Sequence, residues 1–140
     1  MRDEATRAVG TRLTPPWLHW LALLGLCAAY LQGGLVKAFA FDGAVAEMVH
    51  FGMAPAAPLA AAVIVLELGA SLLILSGAYR WLGALALAGF TLVAACVANR
   101  YWEMSGMQRF AAMNAFYEHL GLVGGFVLVA WHDLRERAHG

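Results

Sequence analysis

Charge is what this sequence lacks. Asp, Glu, Lys and Arg make up 13% of its 140 residues, about half the share usual in soluble domains. Nine acidic residues balance nine basic ones, so no cationic excess points to nucleic acid as a partner. Cysteine is scarce too: Cys27 and Cys96 stand far apart with no C-x-x-C. That excludes the dithiol apparatus of four-helix disulfide-generating membrane enzymes and leaves both thiols as small buried hydrophobes. No H-E-x-x-H or similar spacing offers a metal site. Nucleotide-binding loops are missing as well, because the glycines of "GLVGG" fall inside an apolar run, where helix packing explains them.

What is present is hydrophobicity, at 62% of residues, and it is organised in four runs. They extend approximately over Trp17 to Lys37, Pro58 to Ser76, Trp81 to Arg100 and Phe116 to Trp131. Each approaches the roughly 20 residues that a helix needs to cross a hydrocarbon core about 30 Å thick. The expected fold is therefore all-α: an integral membrane bundle of four antiparallel transmembrane helices, multi-pass in a lipid bilayer, with no room for a soluble catalytic module. The domain reading is a polar segment over 1–14, a membrane domain over 15–134 and a tail over 135–140. Arg2, Arg7, Arg12, Arg80, Arg135 and Arg137 fall on one side, and Lys37, Arg100 and Arg109 on the other. The positive-inside rule then puts both termini in the cytoplasm. The first run is longer than a signal-peptide core and has a lysine just before "AFA", so it reads as a retained helix.

The connections differ in character. Residues 1–14 read as a loose polar lead, and "TPPW" starts the first helix with prolines where a missing amide is tolerated. Trp17, His19 and Trp20 suit the interface. In the segment after the first run, Asp42 is a candidate cap for a short helix reaching His50, with Ala44, Val45, Met48 and Val49 on its apolar face, lying at the outer interface. "SGAYR" is a tight turn that makes the second and third runs antiparallel neighbours. "WEMSGMQRFAAMN" reads as a longer connection able to cover an outward opening.

Small residues mark where membrane helices meet. The stripes at helical spacing are Gly25, Ala29, Gly33 and Lys37; Ala60, Ile64, Glu67, Ser71, Ile74 and Ala78; Ala84, Ala88, Thr91, Ala95 and Asn99; and Asn114, Glu118, Gly121 and Gly125. Each contains or ends in a polar group. Lys37, Glu67, Asn99 and Glu118 are thus expected to point into the bundle and to share one site. Glu67 lies about nine residues below Pro58, roughly 14 Å, which is near the midplane. Lys37 and Glu118 lie near the outer interface, so a direct Lys37–Glu67 pair requires a lower first helix or a bridging water.

A charge at the centre of a spanning helix costs about 2.5–3.5 kcal/mol, so Glu67 asks for a reason. One reading makes it a proton acceptor or ligand anchor; the other makes it a carboxyl that ties helices together. Lys37 and Glu118 can snorkel to water, and Arg100 suits an interfacial anchor. His119 points about 100° away from Glu118. A haem between His19 and His132 would need facing imidazoles at matched depth, and His132, in "AWHDLRER", sits at the water boundary.

"LLGLCAAYLQGGLVKAF", "FGMAP", "LELGASLLILSGAYR" and "NAFYEHLGLVGGFVLVAW", taken in order, resemble the landmarks of the DoxX family of small bacterial membrane proteins. Lys37, Gly52, Pro55, Glu67, Gly77 and Arg80 match its recurring positions. The resemblance implies a four-helix protein of the bacterial inner membrane. It also implies an association with redox work, since relatives include subunits of thiosulfate:quinone oxidoreductase and proteins that accompany oxidative-stress enzymes. The resulting expectation is a membrane subunit that holds a quinone or similar amphipathic molecule and meets a redox partner protein. Glu67 and Lys37 would be its catalytic pair, and Asn99, Glu118 and His119 would bind or gate the ligand. The alternative is a non-catalytic scaffold or assembly factor that recruits another protein. A carrier fits less well, because four unbroken spans offer little machinery for alternating access. The sequence assigns no oligomeric state.

Overall fold

The computed structural model describes residues 2–140, and the side chain of Arg2 lies outside the description. The chain is helical throughout: α1 (Arg2–Leu13), α2 (Pro16–Phe39), α3 (Phe41–His50), α4 (Ala56–Ser76), α5 (Arg80–Ala98), a 3-10 turn (Tyr101–Glu103) and α6 (Gly106–His139). Among the described residues there is no strand. Four segments, Pro16–Phe39, Ala56–Ser76, Arg80–Glu103 and Gly106–His139, are long and apolar enough to cross a membrane.

Helix boundaries follow local chemistry. Pro15 is extended ahead of Pro16, whose ring sits in the first turn of α2, where its missing amide leaves no bond unmade. Gly77 ends α4 with φ 82°, a left-handed conformation that glycine adopts without a Cβ clash. Residues 2–13 form a polar helix rather than a loose lead, with Asp3 and Glu4 in the first turn and Arg12 in the last, as the helix dipole favours. Asp42 falls in the first turn of α3 instead of capping it, the N-cap being Ala40. Ala44 and Met48 of α3 are buried against Ala60 of α4, while Val49 stays exposed.

The expected long third connection is mostly helix. α6 starts at Gly106 and runs for 34 residues, roughly 51 Å at 1.5 Å per residue, which exceeds the hydrocarbon core by about 20 Å. No proline follows Gly106, and Met, Gln, Arg and Ala there are good helix formers.

The bundle runs in the order α2, α4, α5, α6, each packing on the next, while α2 and α6 meet only thinly. The main core joins Leu23, Cys27 and Tyr30 of α2, Ala70 and Ile74 of α4, Ala84, Leu87 and Ala88 of α5, and Phe126 and Ala130 of α6. The expected stripes hold on α4 from Ala60 to Ile74 and on α5 from Ala84 to Ala95, whereas Ala78 is exposed beyond the end of α4 and Asn99 is the half-buried C-cap of α5. On α2 they do not: Gly25 and Ala29 are exposed, and the inward stripe is Leu23, Cys27, Tyr30 and Gly34. On α6, Asn114, Glu118 and Gly121 are exposed, and Ala112, Phe126, Ala130 and Asp133 are buried. Small residues occur on several faces of both helices, so the large rings decide. Tyr30 and Phe126 pack edge to face, with centroids 5.3 Å apart, which gains contact that a glycine stripe cannot supply.

Close approach of α4 and α5 depends on Gly83, where an added Cβ would lie 2.6 Å from the Ala70 carbonyl oxygen and 3.0 Å from Leu73 Cβ. Gly83→Ala is therefore expected to destabilise the bundle by about 1–3 kcal/mol. Gly89→Ala, where nothing lies within 4 Å, should be close to neutral. Thermal unfolding in detergent, followed by circular dichroism, compares the two; equal midpoints would refute the packing argument.

Candidate functional site

Glu67 sits near the middle of α4 and faces α2. Lys37, one turn before the end of α2, bends back to meet it: Nζ donates to both Oε1 and Oε2 at 3.1 Å. The carboxylate side chain is 6% exposed and the lysine 18%. The pair is thus direct, where the spans drawn from sequence left a gap in depth. Gly34 brings the helices together, since its α-carbon has room for no Cβ: one would lie 2.8 Å from Leu68 Cγ and Cδ2. The flexible lysine stem then covers the rest.

Gly33 borders the pair. A Cβ there would be 3.7 Å from both Glu67 Oε1 and Lys37 Nζ, and the residue is only half-buried. On this side the ion pair is flanked by bare backbone. Glu47 of α3 is close enough to act on Glu67 electrostatically. A polar ladder continues inward from the pair. Ser71 Oγ donates to the Glu67 carbonyl oxygen at 2.6 Å, and the Tyr30 hydroxyl pairs with Thr91 Oγ1 of α5. Tyr30 also lies within electrostatic range of Glu67.

The other expected members stand apart. Asn99 is the C-cap of α5, and its carbonyl accepts from the Tyr101 amide at 2.8 Å. Glu118 is exposed. His119 is half-buried, with Nδ1 2.6 Å from the Ala115 carbonyl oxygen of its own helix. Among the described residues, none of the three bonds to Lys37 or Glu67, so the expected four-helix polar site reduces to two helices and α3. Sequence reasoning missed Tyr30, because it followed the glycines of α2 rather than its aromatic. It also passed over Asp133, which follows His132 in "AWHDLRER" and is buried. Asp133 Oδ2 accepts from the Trp81 amide at 3.1 Å and from Arg137 Nε at 2.9 Å, while Arg137 Nη2 donates to the Gly77 carbonyl oxygen at 3.0 Å. These bonds tie the adjoining ends of α4, α5 and α6 together at the end of the bundle that carries both termini. Arg80 Nε adds a bond to the Ile74 carbonyl oxygen at 2.8 Å, covering the open end of α4. His19 and His132 line one groove at this end, and His132 lies 3.7 Å from Glu136. Among the described residues no cluster of three or more His, Cys, Asp or Glu is arranged to hold a metal.

Four apolar spanning helices, two of them joined by a Lys–Glu pair, define a multi-pass integral membrane protein. The DoxX family profile matches residues 20–100, which contain Lys37, Glu67 and Arg80, and the chain belongs to that family. It is 31% identical over 116 residues to the inner membrane protein YphA of Escherichia coli (strain K12), covering 82% of each chain. No solved structure matches. The chain is accordingly a multi-pass protein of the bacterial inner membrane.

A buried ion pair is costly to break from one side only, because the remaining charge has no water. Lys37→Met is expected to destabilise the bundle by about 3 kcal/mol, and the Lys37→Met/Glu67→Met double variant to recover most of that loss. Unfolding of the two single variants and the double variant in detergent forms the test; additive losses would show that the two residues do not act as a pair.

Proposed function

We propose that this inner-membrane protein is the membrane subunit of a quinone-linked redox assembly, in which the Lys37–Glu67 pair engages a quinone or a similar amphipathic carbonyl compound. The observation that supports the reading is the asymmetry of the pair: the carboxylate is enclosed, whereas the ammonium keeps some exposure beside Gly33. A carbonyl oxygen approaching along that bare backbone meets a cationic donor first. Lys37 would stabilise negative charge developing on the oxygen and pass it a proton from its ammonium, and Glu67, as the proton acceptor of the pair, would take up a proton from water and restore the ammonium. Two electrons and two protons convert a quinone to a quinol; the electrons would come from a partner protein and both protons from water, one of them by way of the pair. With six basic residues against three, both termini are assigned to the cytoplasm.

A second reading, a scaffold that recruits another protein, is favoured by one feature: ammonium and carboxylate already satisfy each other. Such a pair can fix the register of α2 against α4 with no ligand present.

Purification in gentle detergent, organic extraction and redox difference spectra separate the two. The ligand reading expects a quinone in the wild-type extract and its loss from Glu67→Gln, with helicity unchanged. A wild-type protein free of any quinone, or a Glu67→Gln variant that keeps it, would leave the scaffold.

A further inference from the structure

We propose that the groove between α2 and α6, at the end of the bundle carrying both termini, binds an anionic membrane phospholipid, its chain along the groove and its phosphate at Arg80 and His19. The seam that closes the four-helix ring is incomplete. α2 touches α6 midway, where Leu26 lies over Gly125 and Tyr30 meets Phe126. Below that level the helices part around a cavity of about 700 Å³, within the roughly 300–1,000 Å³ typical of small-molecule sites. Leu13 to Pro16 also line the groove. Ala22, Leu23 and Leu26 face Leu128 and Val129 across it, a lining suited to an alkyl chain.

The polar end of the groove sets the headgroup. Arg80, His19, His132, Asp133 and Glu136 line it. Asp133 is neutralised by Arg137 at 2.9 Å, and Glu136, 71% exposed, lies beside His132 in water. Arg80 spends Nε on a neutral carbonyl and has no ion pair among the described residues, so the cation that lines the groove has no carboxylate in contact with it. Depth agrees with this assignment. Trp17, Trp20 and Trp131 are exposed on the same end of the bundle, and exposed indoles mark the headgroup level. A cation at that level above an apolar trough matches a phosphate joined to a chain, as in other basic sites between membrane helices. The groove is independent of the Lys37–Glu67 pair: His19 and Lys37 are 18 residues apart on α2, roughly 27 Å along the axis.

The full-length protein, stripped of co-purified lipid in detergent, is titrated with phosphatidylglycerol and with phosphatidylcholine of identical chains, and binding is read by native mass spectrometry. Phosphatidylglycerol is expected to bind roughly fivefold more tightly, the worth of one basic side chain near the surface. Arg80→Gln should erase that preference. Because Arg80 also covers the end of α4, a second variant, Ala22→Trp, fills the groove and leaves Arg80 in place; it should weaken binding of both lipids. Equal wild-type affinity for the two lipids would overturn the proposal. So would undiminished phosphatidylglycerol binding by Ala22→Trp, or displacement of phosphatidylglycerol by an uncharged quinone of equal chain length as readily as by phosphatidylglycerol itself.

Discussion

A hydrocarbon solvent accepts no hydrogen bonds, so each polar group carried into it must find its partner within the protein. That constraint governs the arrangement of this bundle. Among the described residues no buried side-chain nitrogen or oxygen lacks a hydrogen-bond partner, and the bonds made under this pressure are the ones that hold particular helices together. Lys37 and Glu67 join α2 to α4, Tyr30 and Thr91 join α2 to α5, and Asp133 and Arg137 clasp α6 to the ends of α5 and α4. Apolar packing alone gives little specificity in lipid, where the tails are as apolar as leucine. Polar pairs and close approaches at glycine therefore do much of the work of choosing neighbours.

How much of this was legible in the sequence depends on which kind of signal was read. Span number and the antiparallel order followed from run length and from "SGAYR", because membrane thickness and a tight turn leave few alternatives. The faces of α4 and α5 were also legible, because the stripes that carry Glu67 and Ser71 and Thr91 are the buried ones, although Ala61, Ala62 and Gly89 stand exposed on other faces. On α2 and α6 small residues occupy more than one face, and the outcome was set by where Tyr30 and Phe126 interlock, a contact between residues 96 positions apart. No local period encodes that. The boundary of α6 was misread for a different reason. Hydropathy reports where lipid begins, whereas a helix continues into water as long as its backbone meets no breaker, and "MQRFAAMN" contains none.

Of the candidate site, Lys37 and Glu67 are brought together, while Asn99, Glu118 and His119 are not. Membrane burial explains the difference. Glu67 had no route to water and had to be partnered, so its sequence position carried information about its contacts. Glu118 is exposed on the overlong α6, and His119 is satisfied by the Ala115 carbonyl oxygen of its own helix. Lys37 lies between these cases. Its stem is long enough to reach either water or Glu67, and the close packing of Gly34 on Leu68 decides for Glu67.

The uneven hold on α2 connects the two ends of the bundle. α4 grips the second half of α2, through Gly34 at Leu68, Lys37 at Glu67 and the core around Cys27 and Ile74. α6 meets it only around Leu26 and Tyr30. One helix held firmly on one flank and loosely on the other must leave a gap where the loose flank diverges, and in a bilayer such a gap cannot stay empty or fill with water at an apolar wall. Lipid chains are the available filling, and Arg80, which lines the groove without an ion-pair partner among the described residues, is the group proposed to select among them by charge. The ion pair that fixes α2 against α4 and the groove that opens between α2 and α6 are in this sense two consequences of the same asymmetric packing.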